Sequence, residues 1–99
     1  MIARIWHGTT KAGDAAEYLE YLFQSGVPAY RATTGNIRAW VLRRIEGDVA
    51  HFITLSFWES YDDIAAFAGS DPAVAKYYPE DEKYLLECEP RVTHYEVFE

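Results

Sequence analysis

His7 closes the opening apolar run IARIWHG, and the stretch AKYYPEDEKYLLECEP over residues 75–90 carries Tyr77, Tyr78 and an acidic cluster. An imidazole ordinarily titrates close to neutral pH, which suits a side chain that takes a proton from a substrate. His7 shares strand parity with Ala3 and Ile5, so the spacing predicts that it faces the helices at the far end of its strand. There it is either a general base or a histidine hydrogen-bonded at the rim of the core. The 75–90 segment has to return the chain to the end of the sheet where the last strand begins. That requirement hangs Tyr77 and Tyr78 over the same mouth as His7, with Phe67 below them. In this position the rings either wall a slot for a small aromatic guest or seal the core with their hydroxyls in water.

Other polar residues carry weaker signals. His51 and His94 complete a set of three histidines, but no H-x-H or E-x-x-H spacing supports a metal site. Glu80, Asp81 and Glu82 read as the solvated first turn of a helix, where carboxylates are favoured by the helix dipole. Arg38 and Arg44 alternate with Trp40 and Leu42 and predict ion pairs with acidic groups across a subunit contact, or a contact to a substrate phenolate. Tyr30 and Arg31 could border the pocket.

Ninety-nine residues predict one domain, 1–99, with one core. Eight Tyr, five Phe and three Trp exceed what one small core must hold, which points to a ligand pocket, a subunit interface or both. A net charge of −7 repels phosphate backbones and anionic lipid, and no basic run is longer than Arg43-Arg44, so neither nucleic acid nor membrane is an expected partner. No apolar stretch approaches the ~18 residues of a membrane span, and the start of the chain has no signal-peptide pattern. The single Cys88 predicts a buried, inert thiol in a reducing compartment, hence a cytoplasmic protein.

Elements must then position these groups. Residues 2–8 alternate as a strand; Asp14 three residues before Glu17 predicts a capping box for a helix carrying Ala15, Leu19, Leu22 and Phe23. Gly26 and Pro28 end or kink that helix, and a short helical piece follows near residues 29–32. IRAWVLRRI and VAHFITLSFW flank Glu46-Gly47-Asp48 as a hairpin. Ser60 and Asp63 start a short helix that stops at Gly69. Asp71-Pro72 predicts a further helix ended by Pro79, and residues 91–98 a last strand. The order is βαββαβ, an α+β ferredoxin-like fold with an antiparallel sheet in the order 4-1-3-2 and helices on one face. The bare face, expected to carry Trp40, Leu42, Phe52, Thr54, Ser56 and Trp58, is too aromatic to stay wet and predicts a homodimer.

The third strand and second helix, ITLSFWESYDDIAAFAGSD, resemble the hallmark stretch of the antibiotic biosynthesis monooxygenase superfamily, and the order of elements is similar from Met1 to Phe98. The resemblance implies a dimeric α+β barrel and a small hydrophobic or aromatic ligand. One branch of that superfamily oxidises polyphenolic compounds with O2 and no cofactor. It implies a monooxygenase-like activity on an aromatic or polyketide-type compound, with His7 as base and Phe67, Tyr77 and Tyr78 as substrate-binding walls. The haem-degrading branch uses an Asn, a Trp and a His at positions that fall here on His7, Phe67 and Tyr77. All three differ, so haem is the lesser alternative. A third reading is a non-catalytic ligand-binding or stress-related dimer.

Overall fold

Residues 1–69, 71 and 73–99 are described by the computed structural model, Cys88 by its backbone alone. The burial expected of the Cys88 thiol and the helical turn expected at Pro72 therefore lie outside the described residues.

The hairpin is the simplest part to derive. Asn36–Glu46 (β2) and Val49–Trp58 (β3) turn through Gly47-Asp48, with Gly47 at φ 59°. A two-residue hairpin needs positive φ there, and glycine adopts it without steric cost. Ile2–Lys11 (β1) then pairs antiparallel along the other edge of β3, from Ile2↔Trp58 to Lys11↔Val49. It runs three residues beyond the predicted strand. The expected capping box is not formed: residues 12–14 make a tight 3-10 turn, and the Asp14 side chain caps nothing in the helix Ala15–Gln24 (α1). The chain breaks at Ser25 and continues as Gly26–Ala32 (α2), as the glycine and proline predict.

Tyr61–Ala68 (α3) follows β3. Its cap is as expected, the Asp63 N–H donating to Ser60 Oγ at 3.2 Å, and it stops at Gly69 with φ 102°. The helix expected after Asp71 is not seen in residues 73–78. The Asp71 carboxylate accepts from the Ala73 N–H in a local turn, and Val74 then bridges Arg91 antiparallel. The segment between the two prolines is too short to nucleate a stable helix, so backbone pairing wins. Asp81–Tyr84 (α4) is a single turn, and the chain enters Leu85–Cys88 (β4), then Thr93–Glu96 (β5).

The sheet order is β2-β3-β1-β4, with β5 also beside β1. β4 pairs with residues 8–10 of β1 and β5 with residues 2–5. The predicted last strand is thus delivered in two collinear pieces, the first of them inside the expected connector. The antiparallel sheet with its helices is the ferredoxin-like α+β fold the sequence predicts.

One face of this sheet is covered and the other bare. β3 alternates strictly, burying Ala50, Phe52, Thr54, Ser56 and Trp58 under the helices. This overturns the expected parity of β3. Register pairs Trp40 with Leu55 and Leu42 with Ile53, so the bare face takes the odd-numbered set. Both sets of VAHFITLSFW are apolar enough for either side, and only the pairing decides.

Candidate functional site

The chamber lies between the covered face of β1 and β3, the helices α1 and α2, and residues 76–81. Trp6 points up from β1 because its strand neighbour two residues on is Gly8. A Cβ there would fall 2.5 Å from two carbons of the Trp6 ring, so only glycine leaves the indole its place. Trp6 Nε1 donates to the Tyr77 hydroxyl at 3.1 Å, and that hydroxyl donates to the Glu89 carbonyl. Tyr77 and Tyr78 both line the chamber.

Asp81 closes the floor. It is 5% exposed, accepts from the Tyr18 hydroxyl at 2.9 Å and from the Tyr78 N–H at 2.6 Å. Burial holds its carboxyl above the usual carboxylate range, while the two hydrogen bonds pull the other way. The sequence reading of Asp81 as a solvated first-turn carboxylate is therefore wrong. Its partner Tyr18 is pushed up by burial and then by Asp81, so the phenol stays a proton donor.

Behind the wall sits a charge that the sequence reading passes over. Arg4 is 1% exposed on the covered face of β1. Its Nη1 donates to the Tyr30 hydroxyl and its Nη2 to the Val74 carbonyl, each at 3.2 Å, and the Tyr30 hydroxyl lies 3.1 Å from Thr54 Oγ1. Phe67 does not line the inner void. It stacks on Tyr30 at 4.5 Å between centroids, with Arg4 5.4 Å and Lys76 Nζ 4.7 Å from its ring centre.

The inner void has about 20 Å³ open to the centre of a water molecule, room for one water. A groove of about 640 Å³ lies outside it and shares Tyr77, Tyr78 and Asp81 as walls, adding Pro79, Glu82 and Leu85.

His7 is elsewhere. The expected parity is reversed: Arg4 and Trp6 point to the helices, and His7 points to the bare face with Ala3 and Ile5. Its Nε2 lies 3.2 Å from His51 Nδ1 with the rings stacked, and its Nδ1 3.4 Å from Glu89 Oε1. The expected parity places the arginine outward, whereas a guanidinium held by Tyr30 and Val74 can be buried. His94 lies on the covered side, as the cross-strand neighbour of Arg4. Among the described residues no group of three His, Cys, Asp or Glu side chains is set to hold a metal ion. Of Tyr30 and Arg31, Tyr30 borders the void and Arg31 does not, and Arg44 pairs with Glu46 of its own strand at 2.9 Å.

A haem does not fit this chamber as it stands. The void is of water size, the Tyr77 hydroxyl is engaged by Trp6 and Glu89, and His7 and His51 lie beyond the sheet.

A helix-roofed chamber on one side of an antiparallel ferredoxin-like sheet defines the class of protein. The chain belongs to the antibiotic biosynthesis monooxygenase family, whose model matches residues 1–77. No curated protein matches it. Among solved structures it is similar to a Bacillus cereus protein assigned provisionally as an antibiotic biosynthesis monooxygenase, at 14% identity and TM-score 0.69, covering 99% of this chain and 95% of that one. An uncharacterized NIPSNAP domain protein from Burkholderia xenovorans aligns at 17% identity and TM-score 0.66 with the same coverage. The haem degrader MhuD from Mycobacterium tuberculosis, with two haems bound in its active site, aligns at 20% identity and TM-score 0.59, covering 98% and 95%. At these identities the likeness is one of fold.

Proposed function

We propose that the chain, read as one domain over 1–99, is a cofactor-independent monooxygenase-like protein that oxidises a small aromatic or polyketide-type compound. The observation that carries this reading is Asp81, a buried carboxylate with a raised pKa on the shared wall of void and groove. Each of its oxygens accepts one hydrogen bond and keeps a lone pair for a proton. In an anthrone-type substrate the ring methylene gives a proton to Asp81, and the resulting anion gives electrons to O2. A C–O bond forms, the O–O bond breaks, and the methylene leaves as a carbonyl with one water. Tyr77, Tyr78 and Pro79 would hold the ring in the groove, with Trp6 on the wall of the void beyond it. His7, the base expected from sequence, could serve only a guest on the bare face.

Two copies would pair through that bare face, where Trp40 and Leu42 are each 46% exposed and Ile53, Leu55 and Phe57 are half-buried. No helix among the described residues is long and apolar enough to cross a membrane. A cytoplasmic location belongs to the same reading and rests on the lone cysteine and the acidic charge.

Incubation with an anthrone-type substrate under air and under argon tests the activity. Oxygen uptake matched to product is expected, and Asp81→Asn should lower kcat by roughly 100- to 10,000-fold. Product formed equally under argon, or not at all, overturns the reading. One rival is a binding module without chemistry, for which the outer groove of about 640 Å³ would suffice. That rival expects Asp81→Asn to leave ligand affinity intact with no turnover in either protein.

A further inference from the structure

In a chain of net charge −7, two of the nine basic side chains lie against one buried ring. Arg4 and Lys76 both lie over Phe67, and among the described residues neither is in an ion pair. Lys76 Nζ donates to the Phe67 carbonyl, at 3.4 Å. A guanidinium does not deprotonate, so a fully buried one without a counter-ion is costly.

The unmet hydrogen bonds fall in the same place. Three buried side-chain polar atoms lack a partner among the described residues: Arg4 Nε, the Tyr78 hydroxyl and His94 Nε2. His94 is the cross-strand neighbour of Arg4. The Tyr78 ring lines the void together with Tyr30, the hydrogen-bond partner of Arg4, and lies 5.7 Å from Lys76 Nζ. Unsatisfied groups are normally scattered and few, so their convergence on one pair of cations marks a place prepared for a polar guest. Arg4 Nε–H and the Tyr78 O–H are donors, and burial pushes the Tyr78 phenol up to about 12, which keeps its proton on. The guest they ask for is an acceptor with a negative charge.

We propose that the chamber is an oxyanion site for a small planar organic acid. One charged oxygen, of a carboxylate or of an ionised ring hydroxyl, enters the water-sized inner void, where Lys76 and Tyr78 form the wall, Arg4 stands behind Tyr30, and the Asp81 carboxyl shares the space. The ring lies in the outer groove along Tyr77 and Pro79. The inference rests on the same chamber as the oxygenase reading and names the charge of what enters it. It requires no oxygen and no turnover, so either can fail alone.

The test is binding to the full chain, read by Trp6 fluorescence and by calorimetry, with benzoate, its neutral analogue benzamide, and 4-nitrophenol, which ionises near neutral pH. Benzoate, ionised nitrophenol or both should bind at least roughly tenfold more tightly than benzamide. Benzoate holding its affinity on both sides of neutrality identifies a carboxylate guest; nitrophenol overtaking it as it ionises identifies a phenolate. Tyr78→Phe should weaken the preferred anion by roughly tenfold and leave benzamide unchanged, without lowering Tm, because the hydroxyl it removes has no partner. Lys76→Met should do the same to the anion. Equal binding of benzoate, nitrophenolate and benzamide, no binding of any of them, or an anion preference untouched in both variants overturns the proposal.

Discussion

The two faces of one sheet, built from the same strands, have been given opposite tasks. The covered face concentrates rings and polar groups that need one another: Trp58 is fully buried and donates to Ser56 Oγ at 2.9 Å, and Arg4 reaches Tyr30. The bare face carries Trp40 edge-on to Phe57, half in solvent, with the His7–His51 pair farther along the same face. The difference teaches that aromatic content does not say which side is the core. What separates the faces is which polar groups are buried: on the even-numbered side of β3, Thr54 and Ser56 find partners inside the core in Tyr30 and Trp58, whereas on the odd-numbered side His51 meets His7 part-exposed.

The sharpest way to break the comparison is to truncate the same residue type on each side. Trp58→Ala should cost about 3–5 kcal/mol in denaturant unfolding at any protein concentration. Trp40→Ala should stay within about 0.5 kcal/mol in a monomer. If two bare faces meet, its effect appears as a sedimentation shift toward monomer. Equal losses from the two tryptophans would mean that the faces do not differ as described.

A smaller effect is expected at Gly8. Gly8→Ala sets a methyl against the Trp6 ring and should cost about 1–3 kcal/mol, with a change in tryptophan fluorescence as the indole leaves Tyr77. An unchanged spectrum would show that Trp6 does not depend on that close approach. The smallest effect is a pH slope. Burial, and then Arg4, hold the His94 pKa below the ordinary histidine value. The neutral ring is therefore the folded form, and stability is present above the unfolded pKa and lost as pH falls from it toward the lowered folded value. His94→Gln should flatten the Tm profile between neutral and mildly acidic pH. A slope that survives the substitution belongs to another group.

Much of the frame was legible from particular residues. Glu46-Gly47-Asp48 announced the hairpin, Ser60 and Gly69 the ends of α3, and Gly26 with Pro28 the break after α1. The path the chain must take predicted Tyr77 and Tyr78 over the mouth shared with His7, whereas the chamber they line lies on the other side of the sheet from His7. What stayed hidden turned on pairing. The side of β3 could not be read because both alternating sets are apolar, and the apolar Ala3 and Ile5 argued for the wrong face of β1. With that parity went His7. The irregular course of residues 73–78 depends on Val74 finding Arg91, and the burial of Asp81 on Tyr18, sixty-three positions away. A signal for Arg4 did exist: it shares its side of the strand with Ile2 and Trp6, a cation in an otherwise apolar row.

The interruption between β4 and β5 has a mechanical meaning. Ladder pairs stop at Ile5 on one piece and resume at Gly8 on the other, so Trp6 and His7 sit opposite the gap. Glu89 occupies it, its carbonyl held by Tyr77 and its carboxylate turned to His7. The compartments above and below the sheet are thus riveted through a single residue, and a displacement of that rivet is felt in both.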